Sequence, residues 1–118
     1  MSNRTDRDLL ADILEAIRRA REYTEGQTYE QFLDDTKTQD AVIRALEILG
    51  EATKKLSPSL REAHSEIPWR SMAGVRDKLI PNYFGVNFDI VWEIVQDQLP
   101  ELAAQIEATL HDQDRDCG

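Results

Sequence analysis

Cysteine is almost missing from this chain: Cys117, in the polar end D-Q-D-R-D-C-G, is the only one. An internal disulfide is excluded, and a reducing, cytoplasmic setting is the simplest expectation. Histidine is nearly as scarce. His64 and His111 sit on polar stretches far apart in the chain, so no Cys/His cluster offers a zinc site, and no metal or cofactor is expected. No apolar run approaches the ~20 residues of a membrane span. The start, M-S-N-R-T-D-R-D, is too polar for a signal peptide. Glycine-rich phosphate loops and G-x-S-x-G elbows are absent as well. Positive charge is in deficit, with 14 Lys and Arg against 23 Asp and Glu for a formal −9. Such a balance argues against a broad nucleic-acid footprint.

The deficit is unevenly spread. From residue 84 onward, Arg115 alone stands against eight acids, whereas residues 69–83 hold Arg70, Arg76 and Lys78 against Asp77. Net charge therefore leaves room for RNA at that one segment. An acidic last helix with a solvated face accounts for the rest.

What is present is helical periodicity. Leu10, Ile13, Leu14, Ile17 and Ala20 recur at steps of three and four, with Asp12, Glu15, Arg18 and Arg19 opposite them. Thr5 or Asp6 can cap this helix and Gly26 marks its end. A short turn of helix is expected around Tyr29–Leu33. A second long helix opens near Thr38 and runs to about Leu56, with Val42, Ile43, Leu46, Leu49 and Thr53 as its stripe. Ser57, Pro58 and Glu62 start a short helix, and Pro68 starts another that carries Trp69, Met72, Val75, Leu79 and Ile80. After Gly85, Asn87 caps a last helix from Phe88 to about Leu110, which Pro100 should bend.

No alternating strand pattern occurs. The expectation is an all-α, up-and-down bundle of four long helices plus one or two short ones. Residues 1–110 form a single domain and 111–118 a polar tail. Trp69 and Trp92 read as core residues. Asp34–Asp35 and Asp112–Asp114 read as turn and tail acids, not catalytic pairs.

One segment, R-D-K-L-I-P-N-Y-F-G-V at 76–86, could carry chemistry. Arg76 and Tyr83 are seven residues apart, so a regular helix returns them to nearly one azimuth, ~10 Å apart along the axis. A two-fold dimer could unite both copies in a cleft. Arginine offers a planar fork for phosphate, and tyrosine a hydroxyl that can donate, accept or be modified. An arginine in a surface ion pair and a tyrosine at a bundle edge fit the same residues.

The chain resembles the HepT-like toxins of the HEPN superfamily. The resemblance rests on R-D-L-L-A-D-I-L-E-A-I in the first helix and T-Q-D-A-V-I-R-A-L-E-I-L-G-E-A in the second. I-P-W-R-S-M-A-G-V-R-D-K-L-I and F-D-I-V-W-E-I-V-Q-D-Q-L-P-E-L come next, in order. It implies a HEPN-type homodimer with a metal-independent ribonuclease site at the dimer cleft, built on the pattern R-x4-H-x-Y. The Arg falls on Arg76, the Tyr on Tyr83 and the His on Pro81, with Asp77 and Asn82 as supporting neighbours. The implied roles are phosphate binding for Arg76 and proton transfer for the His position, where proline has no acid or base. Within a helix interior Pro81 would also cost ~3 kcal/mol. The resemblance further implies a minimal nucleotidyltransferase antitoxin (MntA-like) that transfers AMP onto the tyrosine, making Tyr83 the acceptor. RNA is the substrate if the chain is active. A non-catalytic helical module that binds the nucleotidyltransferase is the alternative.

Overall fold

The structure is a computed structural model and describes residues 4–80 and 85–117, with side chains to residue 115. Helix α1 (Asp6–Thr24) starts where the Thr5 hydroxyl accepts the Asp8 N–H and the Asp8 carboxylate accepts the Thr5 N–H. This reciprocal box decides the cap in favour of Thr5. It also holds the Asp8 carboxyl below its ordinary value, the backbone bond to Thr5 first among the causes. Gly26, at φ +78°, provides the left-handed turn that lets the chain leave α1.

A second box, Thr28 with Gln31, starts α2 (Tyr29–Leu33). Helix α3 (Thr36–Lys54) opens two residues before Thr38, because the Asp35 carboxylate accepts both the Thr38 N–H, at 3.1 Å, and its hydroxyl, at 2.6 Å. One acid of the Asp34–Asp35 pair is thus a helix cap. Ser57 caps α4 (Pro58–Ala63) as its sequence implies, and Asp6 holds that cap from α1. Its carboxylate accepts the Ser57 N–H at 3.0 Å and the Ser57 hydroxyl at 2.6 Å.

The helix expected from Pro68 to Ile80 comes in two pieces, α5 (Trp69–Ala73) and α6 (Val75–Leu79), separated at Gly74. It stops short of Pro81. Ile80 has φ −127° and ψ 72°, outside the helical region that a following proline disfavours. The N–H of Asn87 then closes the end of α6 by donating to the Leu79 carbonyl at 2.8 Å.

Asn87 caps α7 (Phe88–Glu93), as expected. A π-helical turn, Ile94–Gln98, joins it to α8 (Leu99–Cys117). Pro100 makes itself felt through this turn. The Leu99 N–H reaches five residues back to the Ile94 carbonyl, widening the backbone just before a residue that has no N–H and whose ring would crowd the carbonyl four back. Helix α8 continues through the segment read as a tail, and Arg7 of α1 pairs with Asp114 near its end. The run from 88 to 117 is ~45 Å long at 1.5 Å per residue, which sets the 47 Å long axis of the molecule.

Helix α1 packs along α3 and against α8, while α5 and α6 lean on α3. Leu10, Ile13, Ile17, Val42, Leu46, Val91, Val95, Leu99 and Ile106 fill the seam. Phe32 is wholly buried, tilted against Trp92 at 5.3 Å and edge-on to Phe88 at 6.1 Å. Trp69 is buried too, its ring N–H given to the His64 carbonyl at 2.9 Å. Among the described residues the secondary structure is all helical. No helix there is long and apolar enough to cross a membrane.

Candidate functional site

Of the residues singled out in the segment 76–86, Arg76 and Asp77 lie within the described part. Pro81, Asn82 and Tyr83 lie outside the described residues. The regular helix that would carry Arg76 and Tyr83 on one face ends at Leu79, so a shared helical azimuth no longer relates them. Asp77 is exposed, and its N–H donates to the Gly74 carbonyl at 3.1 Å in the turn that starts α6.

Arg76 leaves α6 toward α3. Its guanidinium is 68% exposed, and its Nε lies 3.9 Å from Oε2 of Glu47, a carboxylate only 29% exposed. An ion pair this open contributes ~0–1 kcal/mol, so the guanidinium is only weakly held by Glu47. The position of the arginine is set one layer deeper. Val75 and Leu79, the neighbours of Arg76 on α6, are buried, and α6 can lie close because α3 has Gly50 where it crosses. A Cβ on Gly50 would sit 3.1 Å from Val75 Cγ1 and 3.3 Å from the Met72 carbonyl oxygen.

The result is a shallow groove of about 240 Å³ between α3 and the α5–α6 break, with Arg44, Glu47, Glu51, Lys54 and Arg76 on its walls. It opens into a second one beside Lys54, Gly74, Arg76 and Asp77. No group of three or more His, Cys, Asp or Glu residues is placed to hold a metal ion among the described residues. Its ionisable groups are the cations Arg44, Lys54 and Arg76 and the carboxylates Glu47 and Glu51.

Sequence reasoning singled out Arg76 but did not name its surroundings. A signal for them exists: Arg44, Glu47, Glu51 and Lys54 recur at steps of three and four, so one face of α3 presents all four.

Comparison with known proteins addresses the rest. A family model described as "Ribonuclease HepT-like" matches residues 13–109, from within α1 to within α8. The chain belongs to the HepT-like ribonuclease family. A relative from Thermococcus cleftensis named "Probable ribonuclease HepT" is 49% identical over 104 residues, covering 88% of this chain and 94% of the relative. One from Methanocaldococcus jannaschii is 42% identical, covering 95% of this chain and 93% of the relative. One from Caldanaerobacter subterraneus subsp. tengcongensis is 43% identical, covering 91% of this chain and 96% of the relative. The latter two carry provisional RNase names. No solved structure matches the chain. HepT-like membership agrees with the all-α HEPN-type bundle observed.

Proposed function

We propose that this HepT-like chain is the toxin half of a toxin–antitoxin pair, a homodimeric metal-independent endoribonuclease by descent with its motif altered at position 81. The observation that carries the reading is Arg76. In a family of ribonucleases, its guanidinium stands exposed on the wall of a groove, loosely paired, at the first position of R-x4-x-x-Y. There it receives the scissile phosphate and offsets the charge that develops on it. The ribose 2′-hydroxyl attacks the adjacent phosphorus, the bond to the 5′-oxygen breaks, and a 2′,3′-cyclic phosphate and a 5′-hydroxyl result. The 2′ proton must leave and the 5′-oxygen must gain one. Proline at 81 supplies neither step, and a missing acid–base group lowers rate by typically ~10²–10⁴-fold.

Tyr83 is the proposed acceptor of AMP from a minimal nucleotidyltransferase. Its phenolic oxygen bonds to the α-phosphorus of ATP, pyrophosphate leaves and the phenol proton goes to solvent. The added phosphodiester would compete with RNA for Arg76. Pro81 also favours a second reading, a non-catalytic module that binds the nucleotidyltransferase.

The test is RNA cleavage in chelator by the unaltered chain, Pro81→His and Pro81→His/Arg76→Ala. Cleavage by Pro81→His alone supports the nuclease with Arg76 in its site. Cleavage by the double variant removes Arg76 from the site, and silence of all three favours the partner module. Co-expression with the nucleotidyltransferase should add the mass of AMP to the chain and add none to Tyr83→Phe.

A further inference from the structure

The groove that exposes Arg76 has two more cations in it, and neither belongs to the family pattern. Arg44 and Lys54 lie ten residues apart on α3, ~15 Å along the axis at 1.5 Å per residue. Both are exposed, and both line the groove that Arg76 enters from the opposite wall. Two carboxylates share the space. Glu47 is engaged by Arg76 at 3.9 Å and Glu51 by Lys54 at 3.5 Å, in pairs whose cations are 68% and 56% exposed. Arg44 has no ion-pair partner among the described residues. It also reaches a neighbouring groove of about 230 Å³ between α1 and α3, whose lining holds Arg19 paired with Glu15 at 3.0 Å, Asp12 and the exposed ring of Tyr23.

We propose that this surface is the path of the RNA strand, with Arg44 and Lys54 holding the phosphates on either side of the one at Arg76. The proposal rests on the reading of Arg76 above and extends it from one residue to a track. Three considerations support it. The three cations outnumber the two carboxylates in a chain whose overall balance is −9, so the groove is locally positive where the molecule is negative. The spacing also fits. At ~3.4 Å per stacked nucleotide, 15 Å spans about four nucleotides, which puts the phosphate at Arg76 inside the run, with neighbours on both sides. Finally, the cations are held loosely enough to change partners, since exposed pairs contribute little, phosphate offers arginine equivalent charge-assisted bonds, and a strand adds the release of its counterions. Tyr23, at the far side of Arg44, offers a face on which a base can stack, as in other single-strand binding surfaces. Lys54 also complements the negative end of α3.

The experiment is binding of a fluorescent single-stranded oligoribonucleotide to the full chain, monitored by anisotropy across a salt series. The proteins are the unaltered chain, Arg76→Ala, Arg44→Ala, Arg44→Glu, Lys54→Ala and Lys37→Ala. Lys37 is an exposed cation in the first turn of α3, away from the groove. Far-UV circular dichroism and melting confirm that each variant folds. Arg44→Ala and Lys54→Ala should each weaken binding several-fold and lower the salt slope by ~0.7, the value for one phosphate contact on a single strand. Arg44→Glu should weaken it further, and Lys37→Ala should match the unaltered chain.

If Arg76→Ala weakens binding while the Arg44 and Lys54 variants keep both affinity and slope, the track is wrong and the Arg76 reading stands. If the groove variants weaken binding and Arg76→Ala does not, the track stands and the role of Arg76 falls. Equal losses in Lys37→Ala would reduce the effect to bulk charge and overturn the track. So would absence of binding by the unaltered chain, which would also turn the groove toward a protein partner.

Discussion

Gly50 is the residue on which the placement of Arg76 can be tested most directly. In a helix interior alanine is favoured over glycine by ~0.8–1.0 kcal/mol, so Gly50→Ala should stabilise α3 if nothing stood against it. The new Cβ, however, would lie 3.1 Å from Val75 Cγ1, 3.3 Å from the Met72 carbonyl oxygen and 3.6 Å from that of Ala73. Neither close neighbour can step aside cheaply. Val75 is 5% exposed, and the Met72 oxygen belongs to the backbone of α5. Overpacking of this kind costs ~1–3 kcal/mol, more than the propensity gain. The expected balance is a loss of ~1 kcal/mol, which for a domain of this size lowers Tm by about 4 °C. A cycle with Val75→Ala separates the two terms. With Cγ1 gone, Gly50→Ala should cost less by at least ~0.5 kcal/mol, the coupling expected of residues in contact. Thermal melts of the four proteins measure it. A Gly50→Ala variant that melts higher, with no coupling to Val75, would refute the close crossing of α3 and α6 and with it the account of how Arg76 is held.

Further predictions concern the fold, its acid sensitivity and position 81. Gln39→Met removes the amide that donates to the Phe32 and Leu33 carbonyls at 2.9 Å each. It should cost ~0.5–1.5 kcal/mol, the usual net contribution of a hydrogen bond, because the Phe32 carbonyl keeps the Asp35 N–H and Leu33 is exposed. The readout is a lower urea midpoint at unchanged slope. Glu15 is pulled from its ordinary 4.5 to about 2 by hydrogen bonds from Arg18 and then Arg19. Asp35 is lowered chiefly by the Thr38 hydroxyl. A depressed carboxylate stabilises the fold above its unfolded pKa and loses that contribution as pH falls through its folded value. Glu15→Gln should therefore melt slightly below the unaltered chain at pH 6 and rejoin it by about pH 2. The gap should shrink in salt, because the site is exposed. Pro81→His should lower Tm slightly, by the ~0.4–1 kcal/mol lost when the unfolded chain regains freedom. A rise equivalent to ~3 kcal/mol would mean a proline inside a helix.

Most elements were legible because their signals are local. Thr5, Ser57 and Asn87 each have a side-chain oxygen that accepts an N–H of the first helical turn, and each caps the helix it precedes. The departures occur where the third dimension decides. Asp35 took the start of α3 from Thr38 because a carboxylate could reach both its N–H and its hydroxyl. Gly74 divided α5 from α6, although the stripe Trp69, Met72, Val75 and Leu79 runs at helical spacing across it. Pro100 was expected to act at its own position, but its effect is met upstream, where the π-turn redirects the Leu99 N–H. Arg76 could be singled out because the family pattern that includes it and Tyr83 is read along the chain. Glu47, Arg44 and Lys54 come to it from another helix, across a contact that depends on the missing side chain of Gly50.

The end of α6 bears on what proline at 81 means for this chain. The sequence suggested two costs at once, a broken helix and a missing acid–base group. The first has little substance. Helix α6 finishes at Leu79, Ile80 has already left the helical region at φ −127° and ψ 72°, and the Asn87 N–H occupies the Leu79 carbonyl. Arg76 is held chiefly by the burial of Val75 and Leu79 against α3. The remaining cost is chemical. If Arg76 receives the scissile phosphate as proposed, a chain that keeps this arginine and its groove but has proline at 81 should still bind RNA when it cannot cut it. Affinity and cleavage should therefore separate in this chain: Pro81→His raises the rate and leaves binding near its original strength, while Arg76→Ala lowers both.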